Sequence, residues 1–353
     1  MAPLWGNTMN ANRLPGLTAL VVAMLALLAN MSAKAADEFG AFELINKSSQ
    51  TYEETLAAVE TALQGSSLTV HGKHTVRIPE EKAQGSVFVL TSPTYMKAAE
   101  NESPRTISAQ VLRVAVYTWG PEQHTLVNMI NPEAHAMIFY ADSDNYDAMV
   151  AAGRLAGTEV RDALSGLPGE AISVPQKPMR TAKHYRKYKG DGPARMMTKF
   201  RRYLKSQRPV FDAEESAFQE TVDSIAATLD ASEVSDSSAS TGWERLVTIP
   251  VGEDAVYIGM TNPYIEFSMI SINSRFRKDG KTDDAPYPGV DHIAALPTEV
   301  LVIKEGGRTQ VLQYGQMWRM QLYFWDSGYR AFTANVGVPT AIFDSIEDLL
   351  VGE

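Results

Sequence analysis

The chain has 353 residues, of which 44% are hydrophobic and 21% are charged, so it is long enough and apolar enough for two globular domains. It contains no Cys, which excludes disulfides, thiolate nucleophiles, and zinc or iron–sulfur sites with Cys ligands. The formal net charge of -10 argues against a general nucleic-acid-binding protein.

The first 35 residues have the pattern of a secretory targeting segment. Arg13 precedes an apolar run at 17–29, and Ala33-Lys34-Ala35 fits the small-x-small rule of signal peptidase. The run is shorter than the roughly 20 residues that span a bilayer. The sequence therefore predicts a signal peptide at residues 1–35, cleaved after Ala35, and a periplasmic or secreted mature protein.

Two parts of the chain repeat the same helix signature. The motif YEET at 52–55 corresponds to FQET at 218–221. Both motifs are followed by apolar residues with the same spacing: Leu56, Val59 and Leu63 in the first part, and Val222, Ile225 and Leu229 in the second. Steps of three and four residues place these side chains on one face of a helix. The sequence thus predicts a tandem repeat in which each copy begins with an amphipathic helix.

The strands and the last helix of each copy also correspond. VRIP at 76–79 resembles VTIP at 247–250, and residues 125–142 match 309–326 over the same length. The last helices pair by their apolar residues: Val160 with Ile342, Leu164 with Ile346, and Leu167 with Leu349. Consecutive strands with short connections favour antiparallel pairing.

The predicted fold class is α+β, with two similar β-α-β4-α-type domains, each an antiparallel sheet with helices on one face. The first repeat is expected at 40–170 and the second at 209–353, on either side of a basic linker at 171–208. A strand at 41–45 precedes the first helix, and its counterpart at 209–211 is only weakly marked. The two domains are expected to fold separately, with their sheets side by side and forming one concave surface.

The first copy resembles a known family. The order of elements, the helix beginning at Tyr52, and the strand VAVY at 114–117 followed by a Gly turn and Asn131-Pro132 are similar to the family called domain of unknown function 302. The resemblance implies a curved antiparallel sheet with helices on one face. It implies no catalytic residues.

The linker concentrates positive charge in an acidic protein, with twelve Lys or Arg and one acid, Asp191. A basic amphipathic helix is expected at about 193–206. Three interpretations remain open: packing against acidic helices of the same chain, binding to an anionic membrane surface, or binding a polyanion. For the last two, the expected cations are Arg195, Lys199, Arg201, Arg202 and Lys205. The polyanion interpretation adds Tyr185, Tyr188 and Tyr203, which lie among the cations of the linker. Secretion argues against nucleic acid as the ligand.

Aromatic residues at the end of the repeated strand-helix segment are candidates for a ligand pocket: Phe139, Tyr140, Tyr323, Phe324 and Trp325. Their alternative role is ordinary core packing. The second copy carries an insertion at 274–290 that ends near Tyr287 and His292, and long loops often carry function. These two residues are therefore further candidates for the ligand site.

A copper site is the one cofactor that the sequence suggests, and no other cofactor is predicted. His135 and Met137 are two residues apart, so they would share a face if the segment were extended. Imidazole and thioether ligands suit copper in an oxidising compartment. Arg319 replaces His135 in the second copy, and Met is often core filler.

The sequence favours a non-enzymatic binding protein whose ligand is a small molecule or an envelope protein. It contains no HExxH, GxSxG, GxxxxGK[ST] or GxGxxG motif. Two alternatives remain open. One is a hydrolase with a site between the domains, where a His meets a carboxylate or hydroxyl. The other is a membrane-surface assembly factor that acts through the basic linker helix.

Overall fold

The protein is described by a computed structural model that covers residues 38–352, except 79–82, 121, 197–202, 235–241 and 273–286. The predicted targeting segment at 1–35 lies outside the described residues. In the part of the chain that is described, no helix has both the length and the apolar character needed to cross a bilayer.

The first repeat forms an antiparallel sheet with helices on one face. Its strands are β1 (Glu38–Lys47), β2 (Thr69–Thr75), β3 (Gly85–Thr91), β4 (Val111–Trp119) and β5 (His124–Ile130). Its helices are α1 (Tyr52–Gln64), α2 (Pro93–Ala98), α3 (Pro132–Phe139) and α4 (Tyr146–Leu164). The strand order is β2-β3-β4-β5-β1, with the next strand of the chain, β6 (Glu170–Thr181), beside β1.

Helix α1 begins and packs as its sequence predicts. Thr51 and Glu54 form a capping box, in which each side chain bonds to the backbone N–H of the other residue. Val59 and Leu63 are fully buried on the face that packs on the sheet. The Tyr52 hydroxyl reaches Ser86 of strand β3 at 2.7 Å and so fixes the helix to this face.

The second repeat has the same topology. Its strands are β7 (Arg208–Glu214), β8 (Glu244–Val251), β9 (Ala255–Thr261), β10 (Thr298–Glu305) and β11 (Arg308–Gln313). Its main helices are α7 (Phe218–Asp230), α8 (Pro263–Ile270), α9 (Gln316–Phe324), α10 (Gly328–Ala334) and α11 (Val338–Val351), and two short linker helices, α5 (Ala182–Arg186) and α6 (Tyr203–Ser206), precede it.

The order of the second sheet is β8-β9-β10-β11-β7, which matches strands β2-β3-β4-β5-β1 of the first sheet one by one, and β6 at the edge of the first sheet has no counterpart in the second. The α+β fold class with two similar antiparallel sheets is confirmed. The weakly marked segment at 209–211 is part of a full strand, because β7 pairs along β11 from Arg208 to Glu214. Strand β7 has a short apolar pattern because it lies at the edge of the sheet and pairs with β11 alone.

The two repeats do not fold as separate bodies, because the chain from Phe39 onward forms one compact unit. Each sheet carries helices on one face and packs its other face against the other repeat. The apolar residues of this contact include Val89 and Val111 from the first sheet and Ile249, Tyr257 and Leu301 from the second. The expectation of one open concave surface was therefore wrong, since these inner faces are buried.

Two 3₁₀ turns cross between the repeats in a reciprocal way. Pro104–Ala109 of the first repeat packs on strands β9 and β10, and Val290–Ala295 of the second packs on β3, β4 and β5. Arg105 in the first turn donates to Glu305 of β10 at 2.7 Å. The two turns occupy corresponding positions, because one comes after α2 and the other after α8. Each repeat therefore places the same segment on the sheet of the other repeat, as expected for approximate two-fold symmetry.

The predicted linker is mostly built into the fold. Its first part is strand β6, and Arg208 already belongs to β7. The described ends of the predicted helix at 193–206 are a 3₁₀ turn, Gly192–Met196, and the four-residue helix α6. A continuous amphipathic helix is therefore wrong for the described residues, and 197–202 lie outside them. Gly190 and Gly192 have positive φ and turn the chain sharply before that point.

Candidate functional site: a pocket between helices of the second repeat

Helices α3 and α4 of the first repeat pack very closely. Gly153 allows this, because an added Cβ would lie 2.6 Å from the carbonyl oxygen of Pro132 and 2.9 Å from the Cβ of Ala136. One turn later, Gly157 lies against the Pro132 ring. Small residues at a helix crossing let the two backbones approach.

The second repeat has larger side chains at the corresponding positions. The pairing of Val160 with Ile342 places Asn335 at the position of Gly153 and Pro339 at that of Gly157. On the facing helix, the pairing of residues 125–142 with 309–326 places Gln316 at the position of Pro132 and Met320 at that of Ala136. Larger side chains at a helix crossing prevent the two backbones from approaching as closely as small residues allow.

A pocket lies between the separated helices, and we call it the helix pocket. Its volume is about 50 Å³. One wall comes from Gln316, Arg319, Met320 and Gln321 of α9, and the opposite wall comes from residues on and around α10 and α11: Asn335, Val338, Pro339 and Ile342. Most of the remaining lining is apolar: Ile265, Met269, Ile272, Phe324, Trp325 and Phe332.

Three residues that line this mostly apolar pocket carry buried polar atoms without a hydrogen-bond partner in the protein. Gln316 is only 5% exposed, and neither its Oε1 nor its Nε2 has a hydrogen-bond partner in the protein. Nε of Arg319 and Nε2 of Gln321 are also unpartnered and buried. A buried polar group without a partner costs about 1–3 kcal/mol. A polar ligand group in the pocket would remove that cost.

The charge of Arg319 is already balanced. Its Nη1 donates to Glu299 at 2.5 Å, and its Nη2 donates to the carbonyl oxygens of Ala295 and Pro297. Arg319 and Glu299 are each 2% exposed, so they form a buried ion pair. The helix pocket therefore offers hydrogen-bond donors, mainly neutral ones, on a wall without net charge.

Two of the sequence-predicted ligand residues, Phe324 and Trp325, line the helix pocket. The other three candidates of that group, Phe139, Tyr140 and Tyr323, are 1–2% exposed and belong to the core. Burial raises the pKa of Tyr140 to about 12. Core packing, the alternative that the sequence left open, is thus the role of these three.

Tyr287 and His292 lie at the C-terminal end of the insertion or just after it. Tyr287 is 9% exposed and packs edge-on against Phe267 at 6.0 Å. His292 is 2% exposed, and its ring nitrogens lie 2.6 Å from Asp291 and 3.1 Å from Asp326. His292 is part of the contact between repeats, because its ring packs on Phe42 of β1, whereas Tyr287 packs on α8 of its own repeat. Neither residue lines the helix pocket. Residues 273–286 of the insertion lie outside the described residues.

The structure does not bring His135 and Met137 together. They lie in helix α3, where residues two apart point to nearly opposite sides, so the shared face expected from an extended segment does not exist. Nε2 of His135 lies 2.9 Å from the Tyr323 hydroxyl. Burial, with the charges of Arg113 and Arg319 nearby, holds the pKa of His135 well below its usual value. Among the described residues there is no cluster of three or more His, Cys, Asp or Glu that could bind a metal ion.

Two of the five predicted linker cations lie in the described part of the chain. Arg195 and Lys205 are exposed, whereas Lys199, Arg201 and Arg202 lie outside the described residues. The tyrosines expected among them are buried at 0–1% exposure: Tyr185, Tyr188 and Tyr203. The rings of these tyrosines pack in the core, so they are not exposed to a polyanion, as the third interpretation of the linker would require.

A His and a carboxylate meet at the boundary of the two repeats, as the hydrolase alternative required. Nε2 of His74 lies 2.5 Å from Oε1 of the fully buried Glu266, and the Thr261 hydroxyl donates to the same oxygen. Here the carboxylate stands between the imidazole and the hydroxyl. In a nucleophile–base–acid triad the imidazole must stand between them. The arrangement joins strand β2 to helix α8.

The chain shows no significant match to a family model, to a curated protein or to a solved structure. The site therefore has to be understood from its own residues. Sequence reasoning missed Gln316 and Asn335, the residues that distinguish the pocket from its counterpart. The signal was present as a difference between the copies, with small residues in the first and larger polar or apolar ones in the second.

Proposed function

We propose that the protein is a non-enzymatic binding protein, and that the helix pocket holds a small carboxylic acid with an apolar chain. The unpartnered side-chain atoms of Gln316 in an otherwise apolar pocket carry this proposal. A protein that used this space only for packing would gain stability from an apolar side chain at this position.

The unpartnered polar atoms of this wall are mainly hydrogen-bond donors, so the ligand should carry hydrogen-bond acceptors. Gln316 Nε2, Arg319 Nε and Gln321 Nε2 are donors without a partner, and Gln316 Oε1 is the one unpartnered acceptor among the side-chain atoms discussed for this wall. Three donors and one acceptor fit a carboxyl group, which has two acceptor oxygens and, when protonated, one donor. They fit an amine or ammonium group poorly.

The size and the mouth of the pocket support a slender ligand. A volume of about 50 Å³ corresponds to about four water-sized groups, which suits a short aliphatic acid or the first part of a longer chain. Tyr329 is 54% exposed and stacks on Phe332, and Phe332 in turn meets Trp325 edge-on. This row of rings would cover a chain that extends toward solvent.

The proposed place of action is the periplasm or the extracellular space, where the pattern at 1–35 would send the mature chain. Native mass spectrometry of protein purified from its own envelope tests both parts of the proposal. We expect an N-terminus at Ala36 and a retained mass equal to that of a carboxylic acid.

Binding is tested by calorimetric titration with butanoate, hexanoate and octanoate. Gln316→Met keeps the side-chain volume and removes both polar atoms, so we expect affinity for the best of these acids to fall about tenfold or more, the equivalent of about 1.4 kcal/mol. Gln219→Met, at an exposed position of α7, is the matched control and should bind as the wild type does. Equal binding by wild type and Gln316→Met, or no binding of any of the three acids, would refute the proposed function.

A further inference from the structure

A second concave site lies beside the first, on the surface formed by the linker. Strand β6 ends at Thr181, helix α5 follows, and the chain then turns at Gly190, whose φ is 93°. The turn brings Arg195 back over the ring of His184, with Nη2 at 3.0 Å from the ring nitrogens. A cavity of about 320 Å³ results, and we call it the cationic pocket.

The lining of the cationic pocket is strongly positive. It contains Lys183, Lys187, Lys189 and Arg195, together with His184 and Thr181, and it includes no carboxylate. In the described part of the chain, none of these three lysines has an acidic side chain within ion-pair distance. Four cations around one concavity raise the local potential and attract an anion, even though the whole chain is acidic.

The one acid of the segment, Asp191, is buried beneath the pocket lining, with its Oδ1 3.6 Å from Nε2 of His184. Asp191 is 4% exposed, accepts from Nη2 of Arg180 at 2.7 Å, and accepts from the Tyr188 hydroxyl at 2.8 Å. Arg180 is itself 3% exposed, so this ion pair is part of the core. The fold thus neutralises Asp191 internally and leaves the positive charge of the pocket unbalanced.

We propose that the cationic pocket binds a phosphate group through Lys183, Lys187 and Arg195. Ammonium and guanidinium groups with a hydroxyl nearby supply donors to several phosphate oxygens at once. The volume is at the lower end of the roughly 300–1,000 Å³ of ligand sites, and so accommodates a phosphate with part of the group that carries it. Burial is the main cause that lowers the pKa of His184, so the neutral imidazole adds a hydrogen-bonding group near neutral pH rather than a charge.

The phosphate can belong to a soluble anion or to a lipid headgroup, and two assays separate these sources. The first titrates the full chain with inorganic phosphate and follows binding by calorimetry. The second measures co-sedimentation with phosphatidylglycerol vesicles, with phosphatidylcholine vesicles as the uncharged comparison. Both use wild type, the double variant Lys183→Glu/Lys187→Glu, and the control Lys97→Glu, an exposed lysine of α2 that pairs with Glu100.

We expect saturable binding in at least one assay, weakened about tenfold or more by the double variant and unchanged by Lys97→Glu. Binding of inorganic phosphate without vesicle binding assigns the site to soluble phosphate compounds. Co-sedimentation with phosphatidylglycerol that the double variant loses assigns it to a lipid headgroup. No binding in either assay, or equal binding by the double variant and wild type, overturns the proposal. Circular dichroism of each variant confirms that it is folded.

Discussion

The backbone N–H of Asp191 donates a 2.9 Å hydrogen bond to Oε1 of Gln321. Asp191 belongs to the turn that closes the cationic pocket, and Gln321 lines the helix pocket. Nη2 of Arg180 also donates to the carbonyl oxygen of Gln321 at 3.0 Å, and Gly192 lies against the Trp325 ring. The two proposed sites therefore share one wall.

Replacing Gln321 with Leu should affect both stability and binding. The buried N–H of Asp191 loses its acceptor, which costs about 1–3 kcal/mol in the free energy of unfolding, and removal of the unpartnered Nε2 offsets part of this cost. The helix pocket also loses the donor Nε2, so affinity for hexanoate should fall. Urea unfolding and calorimetric titration measure the two effects. A free energy of unfolding above that of the wild type would contradict a stabilising role of this hydrogen bond.

The same Gln→Met substitution should affect stability differently at two positions of the second repeat. Gln316→Met removes two unpartnered buried polar atoms and should stabilise the ligand-free protein by about 1–3 kcal/mol. At Gln313, Oε1 is unpartnered but Nε2 donates to the Phe343 carbonyl oxygen at 3.0 Å, so Gln313→Met also breaks a buried hydrogen bond and should give a lower free energy of unfolding than Gln316→Met. Chemical denaturation of both variants in the absence of carboxylic acids measures the difference. A loss of stability in Gln316→Met would mean that its amide has partners in the protein.

Close helix packing in the first repeat should depend on Gly153. In Gly153→Ala the new methyl group meets the Pro132 carbonyl oxygen, a backbone atom that cannot turn away. Overpacking of this kind costs about 1–3 kcal/mol. Gly166→Ala is the control, because no atom lies within 4 Å of its added Cβ and its φ is not in the left-handed region. Thermal unfolding should separate the two variants, and equal melting temperatures would contradict the packing argument.

Stability should fall when the pH drops below about 6.5, the ordinary pKa of His. Burial, with Arg113 and Arg319 nearby, lowers the pKa of His135 in the folded protein. The unfolded chain therefore binds a proton that the folded chain does not, from pH 6.5 down to the folded pKa. The stabilisation by neutral His135 is complete above pH 6.5 and is lost as the pH falls through this window.

The variant His135→Gln should flatten this dependence by up to about 1.4 kcal/mol per pH unit. Tyr323→Phe serves as the comparison, because it removes the hydrogen-bond partner and leaves the burial and the two arginines. Its slope of unfolding free energy against pH should stay close to that of the wild type. If His135→Gln keeps the full wild-type slope, other groups cause the acid sensitivity.

The repeat and its fold class could be predicted from the sequence because they depend on local periodicity. Val59 and Leu63 in one copy, and Ile225 and Leu229 in the other, mark the buried side of a helix by spacing alone. The capping pair Thr51 and Glu54 marks its start. Each of these signals lies within one element, and each is found in the structure.

The contact between the repeats could not be predicted in this way. Strands β3 and β4 are buried on both faces, so their apolar runs do not indicate what covers the inner face. The basic composition of the linker likewise suggested exposure for Tyr185 and Tyr203, although their rings are core residues. Only the structure shows that Asp191 forms a buried ion pair with Arg180, while the described lysines of the linker are exposed.

The helix pocket could not be predicted from the sequence for a related reason. Gln316 and Asn335 are polar residues in amphipathic segments, and their sequence pattern is that of ordinary surface positions. Their role follows from the comparison with Pro132 and Gly153, which requires knowing that the two helices of each repeat touch. Comparing the copies pair by pair, after the fold is known, locates the place where they differ.

The most direct test of the account is a crystal structure of the full chain with hexanoate. We predict electron density for the acid between α9 and α11, with its carboxyl group within hydrogen-bond distance of the Gln316 amide and its chain against Ile342. Density at another place, or a closed gap filled by Met320 with no acid bound at saturating concentration, would contradict the proposal that the helix pocket holds a carboxylic acid.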